Sequence, residues 1–369
     1  MCGIAGIFKR NSKNYLAIKK ILTRINHRGP DAKGIWGDND ISLGSVRLKV
    51  VDLDENSNQP IVSKNKRFVI VFNGEIYNFI NLKKKFNLFT KTNSDTEVII
   101  ELFSKIGPKT FSLLDGMFGI AIYDTILKKL YLARDPFSIK PLYYFIDKNK
   151  FMFCSEIKGI LEVKKNILEN NDSLVDLIKW GGLDHSKKTW FKDIYSIEAG
   201  SYKIIDRNLN IVNRKYYKLE DNLKNINIDS REIPNHFNYL LKKSIKDQSQ
   251  TIRSIGTNLS GGVDSSLVTA FLQECCPKLK TYTFGYKEKE YDERPYAKKV
   301  SHKLKIENFT SITDSKSINK NFIDTLIMQD EPFTSFRQVS HHNLYKEHKI
   351  YGSTVILEAS GGDEIGAGY

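Results

Sequence analysis

Cysteine, tryptophan and methionine are all scarce in this chain of 369 residues, with four, three and four copies respectively. The cysteines, Cys2, Cys154, Cys275 and Cys276, follow neither the spacing of zinc ligands nor an extracellular disulfide framework. No apolar run approaches the roughly eighteen residues that a membrane helix needs. The start, MCGIAGIF, lacks a basic leader, a long apolar segment and a small-residue cleavage site, so a cytoplasmic protein is expected. Negative charge is in deficit, with Asp+Glu 43 against Lys+Arg 57 and a net charge of +14. The surplus is nevertheless dispersed. No basic block or aromatic-basic stripe concentrates it, and the richest runs, Lys83 to Lys85 and Lys242-Lys243, fall in helix-like segments. Neither a nucleic-acid nor a membrane partner is expected, whereas an anionic substrate such as ATP suits the balance.

What the chain does contain is two different grammars, as its length allows. Over the first two hundred residues, CGIAGIF, SLGSVRL, FVIVFNG, MFGIAIYD, KLYLARD, PLYYFID and FMFCS read as strands. Helix-like patterns interrupt them at Tyr15 to Arg24 and Asp95 to Ile106, the second with Ser94 as N-cap and Glu97 as its reciprocal partner. Many strands with few helices between them predict stacked, mainly antiparallel sheets with helices outside. Residues 206–234 turn polar and Asn-rich and read as a linker. From Asn235 a helix is followed by strand, Gly/Ser loop, helix, strand, helix, helix and the strand STVILE. That alternation predicts an α/β domain with a parallel sheet.

Cys154, in FMFCSEI, reads as a buried strand residue, and Cys275-Cys276 as packing at a helix end. Cys2 differs because of its position. Once Met1 is removed, thiol and α-amine belong to one residue, and the neutral amine can take the thiol proton without a separate histidine. Gly3 leaves room for a substrate beside it. Other polar groups recur nearby: the turn HRGPD (His27 to Asp31), Arg47 after a strand, Asn73-Gly74-Glu75 after FVIVF, and Asp95 opening a helix. A guanidinium can clamp a carboxylate. A side-chain amide with a close backbone N–H can hold an oxyanion, and Asp95 can pair with an ammonium. Each also has an ordinary reading as a turn, a surface ion pair, a loop asparagine or a helix cap.

Taken together, MCGIAGIF, HRGPDAKG, VRLKVVDL, NQP, FNGEIYN, SDTEVII, LLDGMFGIAIYD, LARDPFSIKPLYY and SEIK resemble the glutaminase domain of asparagine synthetases. That resemblance implies a class II glutamine amidotransferase with the α+β N-terminal-nucleophile hydrolase fold, an αββα sandwich, over residues 2–205. It implies Cys2 as nucleophile, Asn73 and Gly74 as oxyanion hole, and Arg47, Leu48, Asn73, Gly74, Glu75 and Asp95 in glutamine binding, with Arg47 on the α-carboxylate. Ser138 stands where the family usually has glycine, which puts the conformation of that turn in question.

Farther on, Ile255 to Leu259 reads as a strand, SGGVDSS (Ser260 to Ser266) as a loop and Leu267 to Cys275 as a helix. Backbone N–H groups at such a loop, with the positive helix end behind it, receive phosphate oxygens. Gly261 and Gly262 permit close approach, Ser260, Ser265 and Ser266 add hydroxyls, and Asp264 either helps hold Mg2+ or caps the helix. The loop resembles the pyrophosphate loop of ATP pyrophosphatases, in the PP-loop nucleotide-binding domain of asparagine synthetases. The likeness extends to TFGYKEKEYDERPYAKKV, MQDEPF and SGGDEIGAGY, and implies an ATP-binding domain over 235–369. By that resemblance Leu259 and Phe284 lie at the adenosine, Glu358 and Ala359 also bind ATP, Asp264 and Asp363 hold Mg2+, and Asp330 and Glu331 fall near the pocket.

The reaction so implied begins with ammonia release from glutamine at Cys2. ATP then adenylates the aspartate side chain, and ammonia arriving through an internal passage displaces AMP to give asparagine. Two departures bear on it. In Glu358-Ala359-Ser360-Gly361-Gly362-Asp363-Glu364, Ser360 occupies the family's acidic position, so another carboxylate acceptor, such as a sugar uronic acid, is the alternative. The family also continues beyond this motif, so a C-terminally truncated chain, with glutaminase activity only, is a further expectation. Glutamine, ATP and a carboxylate acceptor are the expected partners; a homodimer is left open.

Overall fold

The computed structural model describes residues 1–366 apart from 11, 12, 184, 224–227, 289 and 291. Outside the described residues therefore lie part of the expected linker, Lys289 and Tyr291 of the segment after TFGY, and the last three residues of the terminal motif. The chain divides into two units, Met1–Ile226 and Asn227–Tyr369.

In the strand Gly3–Phe8 (β1) alternate side chains enter two different apolar layers, as a period of two residues requires. Ile4 and Phe8 face one layer, Ala5 and Ile7 the other. Ala32–Gly37 (β2), Ile41–Arg47 (β3), Tyr143–Ile146 (β8), Phe151–Cys154 (β9) and Ile194–Ser196 (β10) join β1 in a sheet ordered β10-β8-β9-β1-β3-β2. A second six-stranded sheet is ordered β12-β11-β7-β6-β5-β4. Its strands are Ile61–Val62 (β4), Phe68–Ile76 (β5), Gly116–Asp124 (β6), Lys129–Arg134 (β7), Ser201–Ile205 (β11) and Ile211–Lys215 (β12). The strand pairings within both sheets are antiparallel.

Ile4, Phe8 and Leu43 of the first sheet meet Val69, Val71, Ala121 and Leu132 of the second in the central layer. On the outside, Tyr15–Arg24 (α1) and Ile157–Leu161 (α4) bury Ile18, Ile21, Ile157 and Ile160 against Ala5 and Ile7. On the opposite outside, Phe79–Lys85 (α2) and Asp95–Ile106 (α3) bury Leu82, Val98, Leu102 and Phe103 against Ile70, Phe72 and Ile120. The result is the αββα sandwich of an N-terminal-nucleophile hydrolase, with strands such as β1, β5 and β6 buried along most of their length because both faces are covered. Cys154 is buried in β9, in keeping with its apolar run.

In the first unit three expectations need correction. Strand β12 pairs with β11 from Ser201↔Lys215 to Ile205↔Ile211, so residues 211–215 belong to the second sheet rather than to a linker. Ser94 caps α3 by accepting from Thr96 N, but Glu97 accepts from Lys91 N and Thr92 N instead of closing a reciprocal box. Those amides in the preceding loop offer Glu97 two donors where the Ser94 amide offers one. Asn73, Gly74 and Glu75 do not follow a strand; they lie within β5, paired with Gly119, Phe118 and Met117. At Ser138 the backbone adopts φ +57, the left-handed region that favours glycine. The turn forms nevertheless, because the Asp135 carboxylate accepts from the N–H groups of Phe118, Phe137, Ile139 and Lys140.

Asn171–Trp180 (α5) and Leu219–Asn222 (α6) are further helices of the first unit. In the second unit the helix Ile233–Gln248 (α7) packs against Val263–Cys275 (α8), enclosing Ile245 and Leu272. Its sheet is parallel, in the order β15-β14-β13-β16, from Ile255–Asn258 (β13), Lys280–Tyr286 (β14), Glu307–Thr313 (β15) and Val355–Leu357 (β16). Arg294–Leu304 (α9), Ser315–Gln329 (α10) and Arg337–Ile350 (α11) connect or flank these strands. The chain leaves the carboxyl end of β13 through α8 towards β14 on one side. On the other side β16 is reached from β15 across the sheet, so the strand order reverses at β13. That reversal opens a crevice at its carboxyl end, the place where open α/β sheets bind ligands. Helix α8 starts at Val263, so Asp264, Ser265 and Ser266 occupy its first turn rather than the preceding loop. Among the described residues no helix is long and apolar enough to cross a membrane.

Candidate functional site

Register positions the first site. Gly3 pairs with Val46, which brings Cys2 beside Arg47 and Leu48 at the end of β3. The Cys2 thiol lies 3.7 Å from the Leu48 carbonyl oxygen. Behind Cys2, Arg28 Nε donates to its carbonyl oxygen at 2.8 Å, and Arg28 Nη1 to Glu156 Oε1 at 2.8 Å. Burial alone would push the Glu156 carboxyl up, yet the His27 hydrogen bond and the Arg28 and Lys158 charges bring it down to about 2. Glycine is required at position 29, where a Cβ would lie 2.4 Å from the Val46 carbonyl. Within the HRGPD turn the buried Arg28 and Gly29 thus brace the backbone of Cys2. Arg28, Glu156 and Lys158 were not singled out from the sequence, although HRGPD and SEIK carry them.

A small cavity beside Cys2 is lined by Arg47, Leu48, Asn73, Gly74, Glu75 and Asp95, all six residues expected to bind glutamine. Met1, Asp52 and Lys140 also line it. Asn73 is buried, and neither atom of its amide has a hydrogen-bond partner among the described residues. A buried amide left without partners is costly, so this one points to a ligand that supplies them. Gly74 has no room for a side chain; a Cβ there would lie 2.1 Å from Met117 O. Arg47 is held by the carbonyl oxygens of Asp52 and Asp54 and by Asn58 Oδ1. Asp95 accepts from Ile76 N at 3.1 Å and Thr96 N at 2.7 Å.

Burial raises the Asp95 carboxyl to about 6 against those hydrogen bonds, and raises Glu75 to about 7, with the Asp95 charge adding to the rise and Lys140 opposing it. Burial also pushes the Cys2 thiol up. Met1 is 54% exposed, but its amino end is enclosed, and burial lowers that amine to about 6. Burial thus holds the Met1 amine towards its neutral form. While Met1 is attached, the Cys2 nitrogen is an amide and has no basic lone pair.

In the second unit a cleft of about 790 Å³ opens at the carboxyl end of β13. Leu259, Ser260, Asp264, Ser265, Phe284, Glu358, Ala359 and Asp363 line it, as does Ser360. Gly261 takes φ +87 in the loop before α8, and a Cβ there would meet the Tyr296 backbone at 2.5 Å. Ser260 Oγ and Ser265 Oγ are 2.8 Å apart, and Gly262 N donates to Ser260 Oγ at 3.2 Å. This closes a tight serine-glycine turn at the helix start. Gly261, Gly262 and Ser266 are not on the cleft wall; the Ser266 hydroxyl is buried with no partner among the described residues. Nor are Asp330 and Glu331, since the wall on that side is Met328 and Gln329, and Asp330 ends α10 in a left-handed cap. Glu293, Arg337, His341 and Lys346 share the cleft without having been expected there. Nothing in a single sequence brings α11 to the end of β13; the sheet order does.

Among the described residues no three His, Cys, Asp or Glu side chains converge as a metal site. Asp264 and Asp363 nevertheless face the same cleft. Two carboxylates fit a magnesium ion whose remaining ligands are phosphate and water oxygens.

Residues 1–217 match the glutamine amidotransferase domain family and residues 236–369 the asparagine synthase family. A Methanocaldococcus jannaschii protein, provisionally named glutamine-hydrolyzing asparagine synthetase 2, is 34% identical over all of this chain and 76% of its own length. The glutamine-hydrolyzing asparagine synthetase 1 of Bacillus subtilis is 29% identical, and that of Rattus norvegicus 30%. Each aligns with the whole of this chain, which spans 59% of the former and 67% of the latter. Two matched domains in one order, and a cysteine pocket and a strand-end cleft that each domain frames, place the chain in the family of glutamine-hydrolysing asparagine synthetases.

Proposed function

We propose that the protein makes asparagine from aspartate, glutamine and ATP. The observation that carries the first half is the unpartnered Asn73 amide in a pocket shared with Cys2, Gly74, Arg47 and Asp95. With Met1 removed, the Cys2 amine takes the thiol proton and the thiolate attacks the glutamine side-chain carbonyl. Asn73 Nδ2 and the Gly74 N–H stabilise the oxyanion. Arg47 and Asp95 hold the glutamine α-carboxylate and α-ammonium, with Leu48 and Glu75 completing the wall. Collapse of the intermediate releases ammonia and leaves a thioester, which water hydrolyses to glutamate.

In the second unit Leu259 and Phe284 receive the adenosine, with the backbone at Glu358 and Ala359 beside them. Ser260, with Asp264 and Ser265 in the first turn of α8, receives phosphates, while Gly261 and Gly262 shape the turn that presents them and Ser266 supports it from behind. Asp264 and Asp363 would hold a magnesium ion, which when bound neutralises phosphate charge. Adenylation makes the aspartate carboxylate electrophilic; ammonia attack then displaces AMP. Aspartate- and ATP-dependent formation of asparagine and pyrophosphate is the test. Cys2→Ala is expected to abolish synthesis from glutamine while sparing synthesis from ammonium. Absence of asparagine from both nitrogen sources would reject the assignment.

Ser360 on the cleft wall favours a second reading, because a hydroxyl stands where the family resemblance leads to a carboxylate. In this reading the acceptor is another carboxylate, such as a sugar uronic acid. Amidation of such an acid without asparagine formation would select it.

A further inference from the structure

Glu358 is tethered by one oxygen only. Its Oε1 accepts from the Tyr345 hydroxyl at 2.9 Å and from Asn258 Nδ2, while no bond to Oε2 forms among the described residues. Asn258, the last residue of β13, is itself oriented, since His348 Nε2 lies 2.8 Å from its Oδ1. An amide oxygen only accepts, so Nε2 carries the proton. His348 is buried and stacks on Tyr282 with ring centroids 3.6 Å apart, and burial lowers its imidazole to about 4. Its Nδ1 has no partner among the described residues, as a fixed neutral tautomer leaves it. Gly256 makes the stack possible; a Cβ there would lie 2.8 Å from His348 Nδ1. One line of hydrogen bonds therefore runs from the buried face of α11 through the end of β13 to a carboxylate in the cleft.

We propose that His348 and Asn258 are positioning residues that fix Glu358, so that its free oxygen accepts a hydrogen bond from an N–H or O–H of the nucleoside part of the bound nucleotide. A carboxylate repels phosphate, which assigns its contact to the ribose or base rather than to the pyrophosphate. The proposal rests on reading the cleft as a nucleotide site. It differs from the phosphate loop in depending on two side chains that do not touch the ligand.

The test is calorimetric titration of the full chain with AMP, with ATP and magnesium, and with pyrophosphate alone. Loss of one charge-assisted bond corresponds to roughly a tenfold change in affinity. His348→Phe keeps the stack on Tyr282 and removes the donor; Asn258→Leu removes the link. Both are expected to weaken AMP and ATP about tenfold and to leave pyrophosphate unchanged. His348→Gln, whose amide N–H reaches about as far as imidazole Nε2, is expected to restore binding. Unchanged AMP affinity in His348→Phe would overturn the proposal. So would a parallel loss of pyrophosphate, or failure of His348→Gln to recover, since either marks a general loss of structure. If the unaltered protein bound neither AMP nor ATP, the nucleotide reading of the cleft would fall with it.

Discussion

Replacing Asn73 by alanine separates catalysis from stability. In the free protein its amide is buried in β5 with both polar atoms unpartnered among the described residues, while Gly119 opposite preserves the ladder through backbone bonds alone. An unsatisfied buried polar group costs about 1–3 kcal/mol, so truncation removes a penalty while losing little packing. The melting temperature is therefore expected to hold or rise. Catalysis is expected to move the other way. Removing one side-chain donor from an oxyanion hole lowers kcat about 100- to 1000-fold, or roughly 3–4 kcal/mol. The donor acts on a charge that exists only in the transition state, so the KM for glutamine is expected to stay within about threefold. The assay is glutamate release by protein whose loss of Met1 has been checked by mass spectrometry. A kcat within a few-fold of the unaltered protein would refute the oxyanion assignment. A fall in melting temperature with a matching rise in KM would instead make Asn73 a packing residue.

An N-terminal extension that retains Met1-Cys2 is expected to eliminate glutamate release, because the Cys2 nitrogen stays an amide; release at the unextended rate would exclude the amine as base. The raised carboxyls of Asp95, at about 6, and Glu75, at about 7, stabilise the folded unit below their unfolded values near 4, and this contribution is lost as pH rises to 6 and 7. Denaturant melts of Asp95→Asn and Glu75→Gln should each flatten that decline by on the order of 2 kcal/mol, and an unchanged slope would count against burial as the cause. The glutamine KM should rise below about pH 6, as Asp95 loses the charge that holds the α-ammonium. Gly261→Ala meets both a positive φ and the Tyr296 backbone, so it should lower ATP affinity at least tenfold while leaving glutamate release intact; equal affinity would remove the loop from the nucleotide site.

Local pattern carried much of the fold. Helices α1 and α3 coincide with the periodic segments that predict them, and seven strands of the first unit lie in the apolar runs read as strands. Strands β2, β4, β10, β11, β12 and β15 escaped; β12 and β15 are largely polar and half exposed, so pairing rather than burial makes them strands. The residues that line the cavity beside Cys2 were legible because their types are chemically unusual at those places: an N-terminal cysteine, an arginine closing a strand, an Asn-Gly pair. Leu48, and the role of Glu75, came only with the family resemblance.

Residue type and order were therefore enough to single out Cys2 and its companions as candidates, since the chemistry resides in the side chains themselves. Folding supplied what side chains acquire from one another. Arg28 became a brace for Cys2 through Glu156, which lies 128 residues away, and Asn73 became an empty amide by burial. Glu358 gained its tether from Asn258 and Tyr345, on a different strand and a helix. Such properties depend on distance and on exclusion of water, and neither exists until strands separated by a hundred residues are adjacent.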